Sequence, residues 1–127
     1  MNYSWILLII LLVLVIYLLA KRFITPKYLH ELTQEEFIKG YRKAQLIDVR
    51  EPREYEAGHI LGARNIPLSQ LSYRLNEIRN DKPVYLYCQT GVRSKQAASI
   101  LKKKHNCNEI YHLKDGFRKW TGKVKKK

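Results

Sequence analysis

Residues 1–20 carry no charged side chain, and from Trp5 to Ala20 they read WILLIILLVLVIYLLA, with the Tyr17 hydroxyl as the one polar interruption. At about 1.5 Å per helical residue, eighteen to twenty residues span roughly 27–30 Å, close to the hydrocarbon thickness of a bilayer. A secretory signal would place Lys or Arg before the apolar run and a small-x-small cleavage site after it. Here the α-amino group is the one N-terminal charge, and the run ends in Leu18-Leu19-Ala20-Lys21-Arg22. A core helix apolar on every face would need more surrounding protein than the rest of the chain supplies. Residues 1–20 therefore predict an uncleaved transmembrane helix.

Its orientation follows from the Lys/Arg asymmetry, because Lys21, Arg22 and Lys27 crowd the C-terminal flank and the N-terminal flank has none. That bias predicts a single pass through the cell membrane, with the N-terminus outside and the following domain in the cytoplasm. Tyr3, Trp5 and Tyr17 stand near the two ends, where aromatic rings favour the headgroup layer. The two cysteines, with no disulfide framework around them, agree with a cytoplasmic domain.

Beyond the helix, residues 21–27 form a basic link, and Pro26 interrupts any continuous helix into the domain. Residues 28–122 are long enough for one packed domain, and residues 123–127 close the chain as a basic tail. Thr33-Gln34-Glu35-Glu36 is a capping-box pattern that predicts a helix over 34–43. Leu46–Val49, Val84–Tyr87 and Ile110–Leu113 are short apolar runs of strand type. Leu68, Leu71, Leu75 and Ile78 recur at three- and four-residue steps, as do Ala97, Ile100 and Leu101, and both stretches predict amphipathic helices. Strands alternating with helices predict an α/β fold, a parallel sheet flanked by helices and preceded by the transmembrane helix.

Cys88 follows the strand 84–87 directly and precedes a helix expected to begin near Ser94. In open parallel sheets, ligands bind outside the carboxyl ends of the strands. A tight loop closed by a helix N-terminus aims several backbone N–H groups at one spot and favours negative charge there. A thiolate at Cys88 is stabilised by that arrangement and by Arg93, and Gly91 lets the loop take a positive φ. The competing reading, a small buried hydrophobe that ends a strand, leaves the neighbouring Gly, Arg and helix start without a reason.

The segment Cys88-Gln-Thr-Gly91-Val-Arg93-Ser94 resembles the active-site loop of rhodanese-like sulfurtransferases. Asp48-Val-Arg-Glu-Pro-Arg-Glu-Tyr-Glu-Ala-Gly58-His59-Ile60-Leu-Gly62-Ala63-Arg-Asn65-Ile66-Pro67 is similar to the family's upstream signature. Leu113-Lys-Asp-Gly116-Phe-Arg-Lys-Trp120 resembles its C-terminal Gly-Gly-x-x-x-Trp pattern, with Asp115 in place of the first Gly. The resemblance implies a single rhodanese domain in which Cys88 attacks the outer sulfur of a small anionic donor, and a thiol or cyanide acceptor then takes that sulfur from the persulfide. Gln89, Thr90, Gly91, Val92, Arg93 and Ser94 are the expected donor cradle, with no cofactor and no metal. Cysteine phosphatases, some of them built on this fold, place five residues between Cys and Arg. Here there are four, a smaller ring that suits a sulfur atom better than a phosphate. A catalytically idle module that binds an anionic or persulfidated partner at the membrane is the alternative from another class.

Asp48 ends its strand on the same sheet edge as Cys88, and Arg53 follows in a loop. The two are expected to bind or orient a charged donor, or else to pair with each other for about 0–1 kcal/mol if exposed. His59 reads as a structural hydrogen-bonding residue and Cys107 as a structural thiol. The formal charge of +13 gathers partly at Lys21, Arg22 and Lys27 and at Arg118, Lys119, Lys123, Lys125, Lys126 and Lys127. An anionic membrane surface is the partner these bases predict. Nucleic acid is not expected, since no base-reading module is visible, and the tether leaves room for a membrane-associated protein partner.

Overall fold

A computed structural model describes residues 2–23 and 26–126 of the 127-residue chain. Ile24 and Thr25 of the basic link, the Arg22 side chain and Lys127 of the tail lie outside the described residues. The apolar run forms helix α1, Ser4–Phe23. Its window Ser4–Lys21 has a mean hydropathy of 2.7 and no buried residue, so its side chains contribute nothing to the core. It is long and apolar enough to cross a membrane.

Strand β1, Leu29–Leu32, leads into α2, Gln34–Gly40, whose first turn is closed by the expected capping box. The Thr33 hydroxyl accepts from the Glu36 N–H (3.3 Å), and the Glu36 carboxylate accepts from the Thr33 N–H (3.0 Å). A 3-10 turn at Tyr41–Lys43 completes the expected span and delivers the chain to β2, Gln45–Asp48. Helix α3, Pro52–Ala57, and the short strands β3, His59–Ile60, and β4, Arg64–Asn65, come next. Strand β5, Val84–Tyr87, helix α4, Val92–His105, and strand β6, Ile110–Leu113, build the centre, and β7, Val124–Lys125, closes the chain.

Five strands form one parallel sheet in the order β1-β6-β5-β2-β4. Alternation along β5 shows why the strands read as apolar runs, since both faces are covered. Val84, Leu86 and Cys88 join the cluster under α4, which supplies Ala97, Ala98 and Leu101. Tyr85 and Tyr87 face the other way, onto Phe37 and Tyr41 with Trp120. The tail is tied to the domain by β7, which pairs antiparallel with β3.

Two expectations are corrected. Residues 68–78 form two 3-10 turns, Leu68–Tyr73 and Leu75–Glu77, rather than one amphipathic α-helix. Arg74 departs from helical geometry at φ −119° and ψ 23°, and each turn closes by i→i+3 bonds, Arg74 N–H to Leu71 O and Ile78 N–H to Leu75 O, both 3.0 Å. Within each turn the apolar residues are three apart, which is the 3-10 period. Arg53 lies in α3 rather than in a loop, on a helix started by Pro52 and by a box between Glu51 and Glu54.

Candidate active site

All five strands of the sheet are parallel, so their carboxyl ends share one edge, and Cys88 stands there directly after β5. Its side chain is fully buried. The sulfur accepts the Gly91 N–H at 3.0 Å and the Ser94 N–H at 3.3 Å, and the Ser94 hydroxyl lies 3.6 Å away. These amides belong to the cap and first turn of α4, which begins at Val92, two residues earlier than expected. Negative charge on the sulfur therefore meets two backbone donors and the positive end of a fourteen-residue helix.

Two glycines make this loop possible. Gly91 has φ +103°, and a Cβ on it would sit 2.7 Å from the Lys114 carbonyl oxygen. Gly116 has φ +74°, and a Cβ there would run into the Gln89 carbonyl. The close approach lets the 114–118 turn grip the loop from behind, through the Phe117 N–H to Cys88 O (2.8 Å) and the Arg118 N–H to Gln89 O (3.2 Å). Asp115 is not among the residues with positive φ, so nothing in the backbone asks for glycine at that position.

Asp48 is fully buried, and its carboxylate is committed to Arg50 rather than to Arg53. Arg50 donates from Nη2 at 2.7 Å, from Nε at 3.1 Å to both oxygens, and from its backbone N–H at 2.9 Å. The same guanidinium reaches the Gly58 carbonyl (2.6 Å) and the Gln89 side chain (3.1 Å), and lies 4.4 Å from the centre of the Phe117 ring. Burial alone would pull Arg50 down, but its bonds to Asp48 outweigh that and raise it above the ordinary arginine value. Arg50 thus ties the end of β2, the end of α3, the Cys88 loop and the 114–118 turn together. The sequence reading missed it. Its one signal is that Asp48 and Arg50 fall on the same face of an extended segment.

Arg93 grips Glu54 of α3 through two bonds, 2.7 and 2.9 Å. That pairing brings the Glu54 carboxyl down to about 2, so it is charged at neutral pH. Arg53 is exposed on the same helix, and Asp48 gives it no ion pair. Thr90, Gly91 and Val92 line a cleft of about 650 Å³ together with Lys95, Lys114 and Asp115, and Leu19 of α1 lines it as well. Gln89 is half-buried, and its side-chain oxygen is held by Arg50.

The two residues read as structural have structural contacts. His59 bonds the Tyr55 carbonyl through Nδ1 (2.8 Å) and stacks on the Tyr55 ring at 3.7 Å. Cys107 is free and packed in the core, where burial raises its thiol.

A family model, the Rhodanese-like domain, matches residues 25–123. The uncharacterized protein YqhL of Bacillus subtilis (strain 168) is 62% identical over 124 residues, covering 98% of both chains. The "Probable adenylyltransferase/sulfurtransferase MoeZ" of Mycobacterium tuberculosis (strain ATCC 25618 / H37Rv) is 37% identical over 100 residues, 77% of this chain but 24% of that larger protein. The crystal structure of a rhodanese-related protein from Thermoplasma volcanium superposes with a TM-score of 0.70 at 25% identity, over 77% of this chain and 99% of that one.

Proposed function

Because the chain belongs to the rhodanese-like domain family, we propose that it is a sulfurtransferase acting through a Cys88 persulfide. The Cys88 thiolate attacks the sulfane sulfur of an anionic donor, thiosulfate or a persulfide. The S–S bond of the donor breaks and its electron pair leaves with sulfite or thiolate. A thiol or cyanide acceptor then attacks the outer sulfur, and the pair in the second broken bond returns to Cys88. The observation that carries this reading is the cradle itself, in which the Gly91 and Ser94 amides already bond the sulfur at the N-terminus of α4. Donor and persulfide are both anionic, so fixed N–H dipoles of residues 89–94 stabilise each stage without reorganising.

Thiocyanate formation from thiosulfate and cyanide, by the full chain in detergent micelles, tests the activity. Within that assay, Arg93→Ala is expected to raise KM for thiosulfate about tenfold with little change in kcat, the worth of one charge-assisted hydrogen bond. An unchanged KM would reduce Arg93 to its bond with Glu54. Arg53 is left to attract the donor from the surface. Asp48 serves through Arg50 and touches no donor in this mechanism.

In this proposal α1 holds the enzyme in the cell membrane as a single pass, N-terminus outside and domain in the cytoplasm. The support is the Lys21, Arg22 and Lys27 flank. The remaining bases, Arg118 and Lys119 with the tail, face an anionic leaflet, and the acceptor is delivered there by a small thiol or a membrane-associated protein. Protease added to inverted vesicles is expected to digest the domain, and added to right-side-out vesicles to spare it. The opposite pattern would reverse the orientation.

A further inference from the structure

Behind Cys88 a row of polar side chains runs into the sheet, and the sulfur chemistry above gives it no task. The Ser94 hydroxyl, 3.6 Å from the Cys88 sulfur, is also 2.8 Å from Nδ1 of His112 and 3.0 Å from the Gly91 carbonyl. His112 is fully buried on β6. Opposite it on β1 stands Glu31, whose carboxylate lies 3.6 Å from His112 Nε2 and 3.3 Å from Lys95 Nζ of α4. Nε2 is buried and has no hydrogen-bond partner among the described residues. Buried ring nitrogens are normally bonded, so a carboxylate just outside bonding length is notable. It is placed to hold a charge that forms on the ring.

We propose that Ser94 and His112 form a proton relay that empties the Cys88 thiol, with Glu31 as the counter-ion of the imidazolium that results. This rests on the reading of Cys88 as the nucleophile. With the ring protonated on Nε2 and the Ser94 hydrogen turned from the Gly91 carbonyl to His112 Nδ1, Cys88 gives its proton to the Ser94 oxygen as Ser94 gives its own to Nδ1. The hydroxyl that results donates to the sulfur. One S–H bond breaks, one N–H bond forms, and the products are a thiolate and an imidazolium, with no net loss of protons. The backbone donors of the loop stabilise the anion, and the relay gives its proton a destination in a site where the sulfur has no exposed surface. Serine touches the reacting sulfur. His112 acts through it and is a positioning residue.

The charged groups facing His112 are Glu31 from β1 and Lys95 from α4, and the Cys88 thiol at the end of β5 reaches it through the Ser94 hydroxyl. From within β5 its neighbour in register is the uncharged Leu86. Burial holds the ring below the ordinary histidine value, with Glu31 pulling against it and Lys95 adding to it. The ring is neutral before the transfer, and because the same burial makes it a weaker base, the imidazolium depends on Glu31 to offset that cost.

The test is the pH titration of thiolate ultraviolet absorbance, read on the full chain in detergent micelles as a difference from Cys88→Ser. His112→Gln keeps a hydrogen-bonding partner for Ser94 but no basic nitrogen. It is expected to move the Cys88 midpoint upward by about one pH unit, a tenfold lower thiolate fraction below the midpoint. Glu31→Gln is expected to move it upward by less. Simple Coulomb attraction predicts the opposite sign, because removing an anion and unpairing Lys95 both favour a thiolate. An unchanged or lowered midpoint in Glu31→Gln overturns the relay, as does an unchanged midpoint in folded His112→Gln. If His112→Gln does not fold, the sign in Glu31→Gln decides alone, since Glu31 lies on an edge strand and is partly exposed. The titration uses no sulfur donor, so failure of the relay and failure of sulfur transfer are seen separately.

Discussion

Replacing Cys88 with serine is expected to lower thiocyanate formation by about a thousandfold or more, roughly 4 kcal/mol of barrier. The hydroxyl can accept the same Gly91 and Ser94 N–H groups that hold the sulfur at 3.0 and 3.3 Å. It cannot form a persulfide, so the covalent step is lost while the loop persists. Stability should change by no more than about 1–2 kcal/mol, because one buried atom is exchanged for a slightly smaller one. Thermal melting beside the rate assay separates the two effects. Activity within tenfold of the parent would move the nucleophile elsewhere, and Cys107 is the only other thiol in the sequence.

The largest expected loss of stability comes from Asp48→Ala. The side chains of Arg50 and Asp48 are 3% and 0% exposed, so the guanidinium is almost wholly shielded from solvent. Removing the carboxylate strands a buried cation, which costs about 3–5 kcal/mol. Against a typical total of about 5–15 kcal/mol, that is a large share. The melting temperature should fall by roughly 15–30 °C for a domain of this size. Replacing both residues with apolar ones, Asp48→Leu with Arg50→Met, should recover much of the stability. Activity should stay low in the double variant, since the ties from Arg50 to Gly58 and Gln89 are gone. A melting temperature for Asp48→Ala within about 3 °C of the parent would mean that the pair holds nothing together.

Much of this architecture is legible in the sequence because β5 and β6 are buried on both faces, so β5 reads as an unbroken apolar run and β6 as one broken only by His112. Edge strand β1 escaped notice, as its four residues Leu-His-Glu-Leu mix polar with apolar. Helix α3 carried readable signals in Pro52 and the Glu51 and Glu54 box, yet it is too short to show a hydrophobic period. Steps of three and four residues fit both an α-helix and two 3-10 turns, and the break at Arg74 is a backbone property that residue spacing does not encode.

At the site, Cys88 and its loop stood out because nucleophile, glycine and arginine are neighbours in the chain. Arg50 and His112 did not. Their meaning depends on partners brought by other strands, Gln89 and Gly58 for the first and Ser94 and Glu31 for the second. In the sequence Gly116 reads only as part of a motif, and its physical reason is the Gln89 carbonyl lying where a side chain would begin.

The most direct measurement is intact-mass spectrometry of the full chain in detergent micelles after incubation with excess thiosulfate, beside Cys88→Ser. The account predicts a gain of one sulfur, about 32 Da, on the parent alone, removed by cyanide or a thiol as the covalent intermediate turns over. Folded parent protein that gains no mass from thiosulfate or from a persulfide donor, or an equal gain on Cys88→Ser, would contradict it.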